Sequence, residues 1–139
     1  MVGRLLGVDH GDRRIGLALS DPIPIIASPL KTLLINNSQD AIDQILAIVR
    51  EHDVVLVVIG LPIGLKGKET AQTKHVKQFA DELSKNEIEV VFQDERFTSV
   101  SAKRSLLEQP KKVRQNKGMV DQTAAAILLQ QYIDSNYNG

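Results

Sequence analysis

The stretch LLGVDHGDRRIGLALSD, residues 5–21, decides the fold. Two apolar runs, 5–9 and 14–20, are joined by His10-Gly11-Asp12-Arg13. This reads as a β-hairpin with Gly11 taking the unusual backbone angles open to glycine. Asp21-Pro22-Ile23-Pro24 then ends the second strand, because proline donates no ladder hydrogen bond. The first strand closes on a carboxylate, Asp9. That is either a turn-forming Asp bonded to its own loop or a functional acid at a sheet end.

Outward from the hairpin, residues 30–35 form a candidate third, outer strand, and Asn36-Asn37-Ser38 offers turn and cap chemistry. Ile42, Ile45, Leu46 and Val49 then mark one helical face. Residues 54–59 are a continuous β-branched-rich run, best explained as a strand covered on both faces within a parallel segment. After a loop over 60–68, Val76, Phe79, Ala80 and Leu83 mark a second helix, stopped near Asn86. Residues 88–92 form a fifth strand running into Gln93-Asp94-Glu95-Arg96. A short helix is expected from Thr98 or Ser99 to just before Pro110, and a last helix over 120–132. The order predicts an α/β fold. Its five-stranded mixed sheet has three antiparallel N-terminal strands and two further parallel strands, flanked by helices. With no repeat or linker, residues 1–139 read as one domain, large enough for a core without staples.

Cysteine is absent, which excludes a disulfide framework and a thiolate metal site. The N-terminus passes straight into a strand-like run, unlike a leader, and the 54–59 run is far too short to span a bilayer. A cytoplasmic protein with no membrane partner is expected. Formal net charge is +0, so any attraction to nucleic acid must be local.

Asp94 and Glu95 also close a strand, and taken alone they read as solvated loop charges. Asp121 is sharper. In GMVDQTAAAILLQQYID, Asp121 shares a helical face with Ala124, Ala125, Leu128 and Tyr132, the face that should pack on the sheet. A buried charge is costly unless paired or metal-bound, although the helix dipole favours an Asp in a first turn. Acids from two strand ends and one helix start can converge at one sheet edge. Oxygen-only donors suit Mg²⁺ or Mn²⁺, and two such ions roughly 3.5–4 Å apart serve phosphodiester hydrolysis.

Four motifs, GVDHGDRRIGLALSDP, VVIGLPIGLKGKET, DERFTSVSAKRSLLE and VDQTAAAILLQQYID, stand in order across residues 5–134. Together they resemble the YqgF family, described both as a pre-16S ribosomal RNA processing nuclease and as a Holliday junction resolvase. The resemblance implies a ribonuclease H-like fold and a cytoplasmic hydrolase of the two-metal type, maturing the 5′ end of pre-16S ribosomal RNA in ribosome biogenesis. It assigns Asp9, Glu95 and Asp121 as the catalytic, metal-binding acids, with Asp94 the second choice beside Glu95. His10 stands where the family more often has an apolar or aromatic residue, a change expected to alter the site's entrance. Gly64 stands where Asn is common, which removes a polar group from the substrate side.

Lys103, Arg104, Lys111, Lys112, Arg114 and Lys117 face only Glu108 in their segment, just upstream of Asp121. Such a run reads as phosphate contacts, or as a solvated loop. Lys66, Lys68 and Arg13 are further nucleic-acid candidates; Arg13 and Arg14 lie beside Asp9, and either could equally be a surface strand residue. Arg96 could bind phosphate or hold Asp94 and Glu95 in place. At 4% aromatic residues, base stacking has few candidates, so backbone and shape recognition of structured RNA or branched DNA is expected.

Competing readings are weaker. PIGLKGKE lacks the first glycine and the Ser or Thr of a nucleotide-binding loop. The hairpin also resembles the phosphate loop of the sugar kinase, actin and Hsp70 group, but those proteins need two such domains. Two alternatives stay open: resolution of four-way DNA, and a non-catalytic RNA-binding module in ribosome assembly on pre-ribosomal particles.

Overall fold

β1 (Arg4–His10) and β2 (Arg14–Ser20) pair antiparallel, with Leu6 opposite Leu19 and Asp9 opposite Gly16. This is the expected hairpin, in a computed structural model that describes residues 3–63, 67–95, 111 and 116–137. Gly11 is a correction: it does not adopt a positive φ. Glycine fits there because the turn closes tightly. Its N–H donates to the Arg14 carbonyl at 2.9 Å, and a Cβ would stand 2.6 Å from that same oxygen.

β3 (Ala27–Leu34) lies antiparallel on β2 and begins three residues before the expected start. It is an edge strand, which tolerates Pro29, and the register shifts between Leu17 and Ala18 where Pro29 is paired. α1 (Ser38–Glu51) starts where Asn37 accepts the Asp40 N–H at 2.9 Å. β4 (Val54–Leu61) runs parallel to β1, and β5 (Val90–Asp94) parallel to β4. Between them α2 (Ala71–Ser84) is capped by reciprocal bonds between Thr70 and Thr73. α3 (Lys117–Asn136) is capped by Asn116, whose side chain accepts the Met119 N–H. The sheet order is β3-β2-β1-β4-β5, three antiparallel strands and then two parallel ones, as the sequence predicts.

The two faces of the sheet bury different helices. Leu6, Val8, Ile15, Leu17, Val57 and Ile59 pack under α1 and α2. Leu5, Ala18, Leu56 and Val58 pack under α3 through Ala125, Leu128, Leu129 and Ile133. Each fully buried Leu or Ile contributes about 1.5–3 kcal/mol relative to exposure. β4 thus alternates between two cores, which is why its sequence is apolar without a break. On α3, Ala124 and Tyr132, expected on the packed face, are only partly buried, and Leu129 and Ile133 are the deeply buried neighbours of Ala125 and Leu128. The helix expected after Thr98 lies outside the described residues, as does Gly64. Among the described residues, no helix is long and apolar enough to cross a membrane.

Candidate active site

Strand alternation sorts the side chains of β1. Leu6, Val8 and His10 face α1 and α2, whereas Leu5 and Asp9 face α3. Asp9 is thus presented to the first turn of α3. Opposite it on β2, Gly16 makes room for that turn: a Cβ there would overlap the Asp121 carbonyl and stand 2.9 Å from Asp121 Cβ. The same face of β4 reads Leu56, Val58, Gly60. A Cβ on Gly60 would overlap Glu95 Oε2 and stand 2.5 Å from Leu128 Cδ1. Glu95 follows β5 directly, its N–H donating to the Leu61 carbonyl at 3.3 Å, and its carboxyl folds back over β4 toward Asp9. Two missing side chains, at Gly16 and Gly60, let α3 and Glu95 approach the sheet end where Asp9 stands.

The electrostatics follow from that crowding. Burial raises the Asp9 carboxyl from 3.8 to about 6, and the nearby Asp121 charge pushes the same way. Burial also raises Glu95, from 4.5 to about 7, aided by the charge of Asp9. The hydrogen bond between the two lowers Asp9 and raises Glu95. Asp94 is exposed and adds only a weaker push on Glu95. Of the two neighbours, Glu95 meets Asp9.

Asp121 is held differently. Arg14 Nε donates to its Oδ2 at 2.7 Å, across 107 positions of sequence. Among the described residues, no group of three or more His, Asp or Glu side chains is already spaced as a cation cage. Glu95 is hydrogen-bonded to Asp9 and Asp121 to Arg14, while burial and mutual charge still raise Asp9 and Glu95. Their donor chemistry, carboxylate oxygen alone, is what Mg²⁺ or Mn²⁺ takes.

A cleft of about 450 Å³ opens beside the acids, lined by Asp9, His10, the hairpin turn through Arg13, Arg14, Gln72 and Asp121. Arg13 is exposed on its rim, so the structure brings this basic candidate to the acids. Lys117 is exposed at the start of α3, four positions before Asp121. Lys68 is exposed in the loop leading to α2, and Lys111 is exposed. Lys66, Arg96, Lys103, Arg104, Lys112 and Arg114 lie outside the described residues. His10, the residue expected to alter the site's entrance, is among those that line this cleft. The residue is 8% exposed, with its ring against Phe79 at 4.5 Å and His75 at 5.4 Å.

Sequence reasoning placed Arg14 beside Asp9 without pairing it to Asp121, left out Gln72, and gave Gly16 and Gly60 no role. The glycines carried a signal: each interrupts the apolar run of its strand at a position on the face that receives α3.

Residues 3–135 match the family described as RuvX, Holliday junction resolvase. The chain belongs to the RuvX family. This is the family that the four motifs resemble under the name YqgF. RuvX relatives of nearly equal length share the chain's whole extent. A protein of Roseiflexus sp. (strain RS-1), named "Putative pre-16S rRNA nuclease", is 40% identical over 134 residues, covering 96% of this chain and 95% of its own. A Clostridium tetani protein of the same name is 40% identical over 136 residues, covering 97% and 99%. Solved structures agree on the ribonuclease H-like fold. Thermus thermophilus RuvC in complex with a Holliday junction superposes with a TM-score of 0.55 at 12% identity, covering 96% of this chain and 95% of that one. Fowlpox virus resolvase with its junction DNA gives 0.60 at 11% identity, covering 96% and 99%.

Proposed function

We propose that this RuvX-family chain, read as one nuclease domain over residues 1–139, is a divalent-cation-dependent hydrolase of phosphodiester bonds. The reading takes pre-16S ribosomal RNA as its substrate, trimmed at the 5′ end in the cytoplasm on pre-ribosomal particles. The observation that carries the chemistry is the meeting of Asp9, Glu95 and Asp121 at one sheet end, where burial and mutual repulsion raise the Asp9 and Glu95 carboxyls. Without a cation such a cluster costs stability and repels a phosphate. Both costs point to a site built for positive charge. Mg²⁺ or Mn²⁺ held there by the three carboxylates would supply an activated water and charge stabilisation at the leaving oxygen.

The chain's own residues do the rest. Asp9 is placed by β1, and Glu95 lies against Gly60. Arg13 at the cleft, Lys68 before α2 and Lys117 beside Asp121 offer charge to a phosphate backbone. The other basic candidates, Lys66, Arg96, Lys103, Arg104, Lys111, Lys112 and Arg114, belong to the same reading through their place in the sequence. The names of the relatives favour ribosomal RNA. The family's description favours a four-way DNA junction as the second reading.

The test is cleavage of end-labelled pre-16S leader RNA and of a four-way DNA junction, with Mn²⁺ and with chelator, alongside Asp9→Asn. Metal-dependent cutting that the variant loses is the expected result, with the RNA preferred. Preference for the junction selects the second reading. Equal RNA binding by both proteins without cutting by either would leave a non-catalytic assembly module.

A further inference from the structure

Arg14 and Asp121 are neighbours because Gly16 lets the first turn of α3 rest on β2, two positions beyond Arg14. The backbone of Arg14 is pinned by the hairpin, where its carbonyl accepts the Gly11 N–H. Its side chain is not pinned in the same way. It is 38% exposed, it meets Asp121 through Nε, and it lines the cleft with Arg13 and Gln72. Asp121 is the more enclosed partner, at 22% exposure. A guanidinium on a flexible stem, half in solvent, thus occupies an oxygen of the third acid.

The geometry points to Arg14 as an exchangeable counter-charge: it neutralises Asp121 until a divalent cation takes that carboxylate, and the released guanidinium then turns in the cleft to a phosphate of the substrate backbone. This rests on the cation reading of the acids given above. It adds that cation and nucleic acid bind cooperatively, since one event frees the group the other uses. An arginine suits this exchange better than a lysine because its planar fork matches carboxylate and phosphate alike. A part-buried ion pair with its guanidinium 38% exposed can be displaced by a divalent cation.

The exchange is read from the full chain by ¹H–¹⁵N spectra of the arginine Nε–H groups during Mg²⁺ titration, with Arg14→Lys assigning the signal. The Arg14 Nε–H is expected to move toward a solvent-exposed arginine position along the same saturation curve as the Gly16 and Gly60 amides. If the glycine amides titrate while Arg14 stays, the exchange is refuted and the cation reading stands. If neither moves, the cation reading fails and the exchange with it. Arg14→Gln, shown folded by its amide spectrum, should bind Mn²⁺ about three- to tenfold more tightly by calorimetry; equal or weaker binding refutes the competition. The hand-over is read by anisotropy of a labelled RNA hairpin with Ca²⁺ as the cation, the RNA being checked intact on a gel. Wild type should gain affinity on adding Ca²⁺, and Arg14→Gln should lose most of that gain. An equal gain in both proteins refutes the hand-over.

Discussion

Asp9→Asn should stabilise the cation-free protein, and the size of the gain follows from the acid cluster. Asp9 is raised from 3.8 to about 6, and Glu95 from 4.5 to about 7. Each unit is worth about 1.4 kcal/mol, so the Asp9 shift alone corresponds to about 3 kcal/mol at pH 8. Part of that shift belongs to repulsion shared with Glu95 and Asp121, and the amide keeps part of the desolvation cost. The expected gain is about 1–2 kcal/mol, or roughly 3–8 °C in Tm for a chain of this size. The sign is set by linkage. Both acids titrate higher folded than unfolded, so the folded state holds extra protons between about pH 4 and pH 7, and stability falls as pH rises through that window. The advantage of Asp9→Asn should therefore be full at pH 8 and nearly gone at pH 4. Millimolar Mg²⁺ should reverse the order, raising the wild-type Tm by mass action and leaving the variant where it was. The assay is thermal unfolding of both proteins at the two pH values, with chelator and with Mg²⁺. A lower Tm for Asp9→Asn at pH 8 in chelator would refute the reasoning. It would show the carboxylate to be held by favourable local bonds, as a turn-forming Asp is.

Three further outcomes follow from the same geometry. Glu95→Gln should cut kcat by about 10²–10³-fold, whereas Asp94→Asn should stay within about threefold; steady-state cleavage rates compare them, and equal losses would mean that both acids serve. Gly60→Ala should displace the Glu95 carboxyl and Leu128 Cδ1, lowering stability by about 1–3 kcal/mol and lowering activity further than the equally destabilised Leu128→Ala, as denaturant unfolding and cleavage rates would show. His10 is lowered from 6.5 to about 4 by burial and by His75, so it contributes stability that is gained as pH rises from about 4 to 6.5, opposite in sign to the acids; His10→Phe should flatten that component in pH-dependent melts.

The hairpin, the doubly covered β4 and the amphipathic helices were legible in the sequence because period and turn chemistry are local. Strand ends were less so. β3 begins early at Ala27 because an edge strand accepts Pro29, and β5 begins two residues late, at Val90, because its pairing with Val57 on β4 sets the register. Asp121 was legible as an acid on an apolar helical face. The Arg14–Asp121 pair was not, since 107 positions separate its members and only the packing of α3 on Gly16 joins them.

The choice between Asp94 and Glu95 shows why the remainder needed three dimensions. Adjacent residues at a strand end diverge, so one must miss the site, and spacing alone does not say which. The deciding residue is Gly60, on a different strand: only there can a carboxyl lie across β4 and reach Asp9. Gly16 does for Asp121 what Gly60 does for Glu95. At each of the two approaches to the site, a missing side chain on one strand admits an acid carried by another element. In this chain Gly16, near the start of β2, and Gly60, near the end of β4, are therefore as informative about the candidate site as the acids they admit. Restoring a methyl at Gly60 disturbs Glu95 as directly as altering the carboxylate, while leaving every acid in the sequence intact.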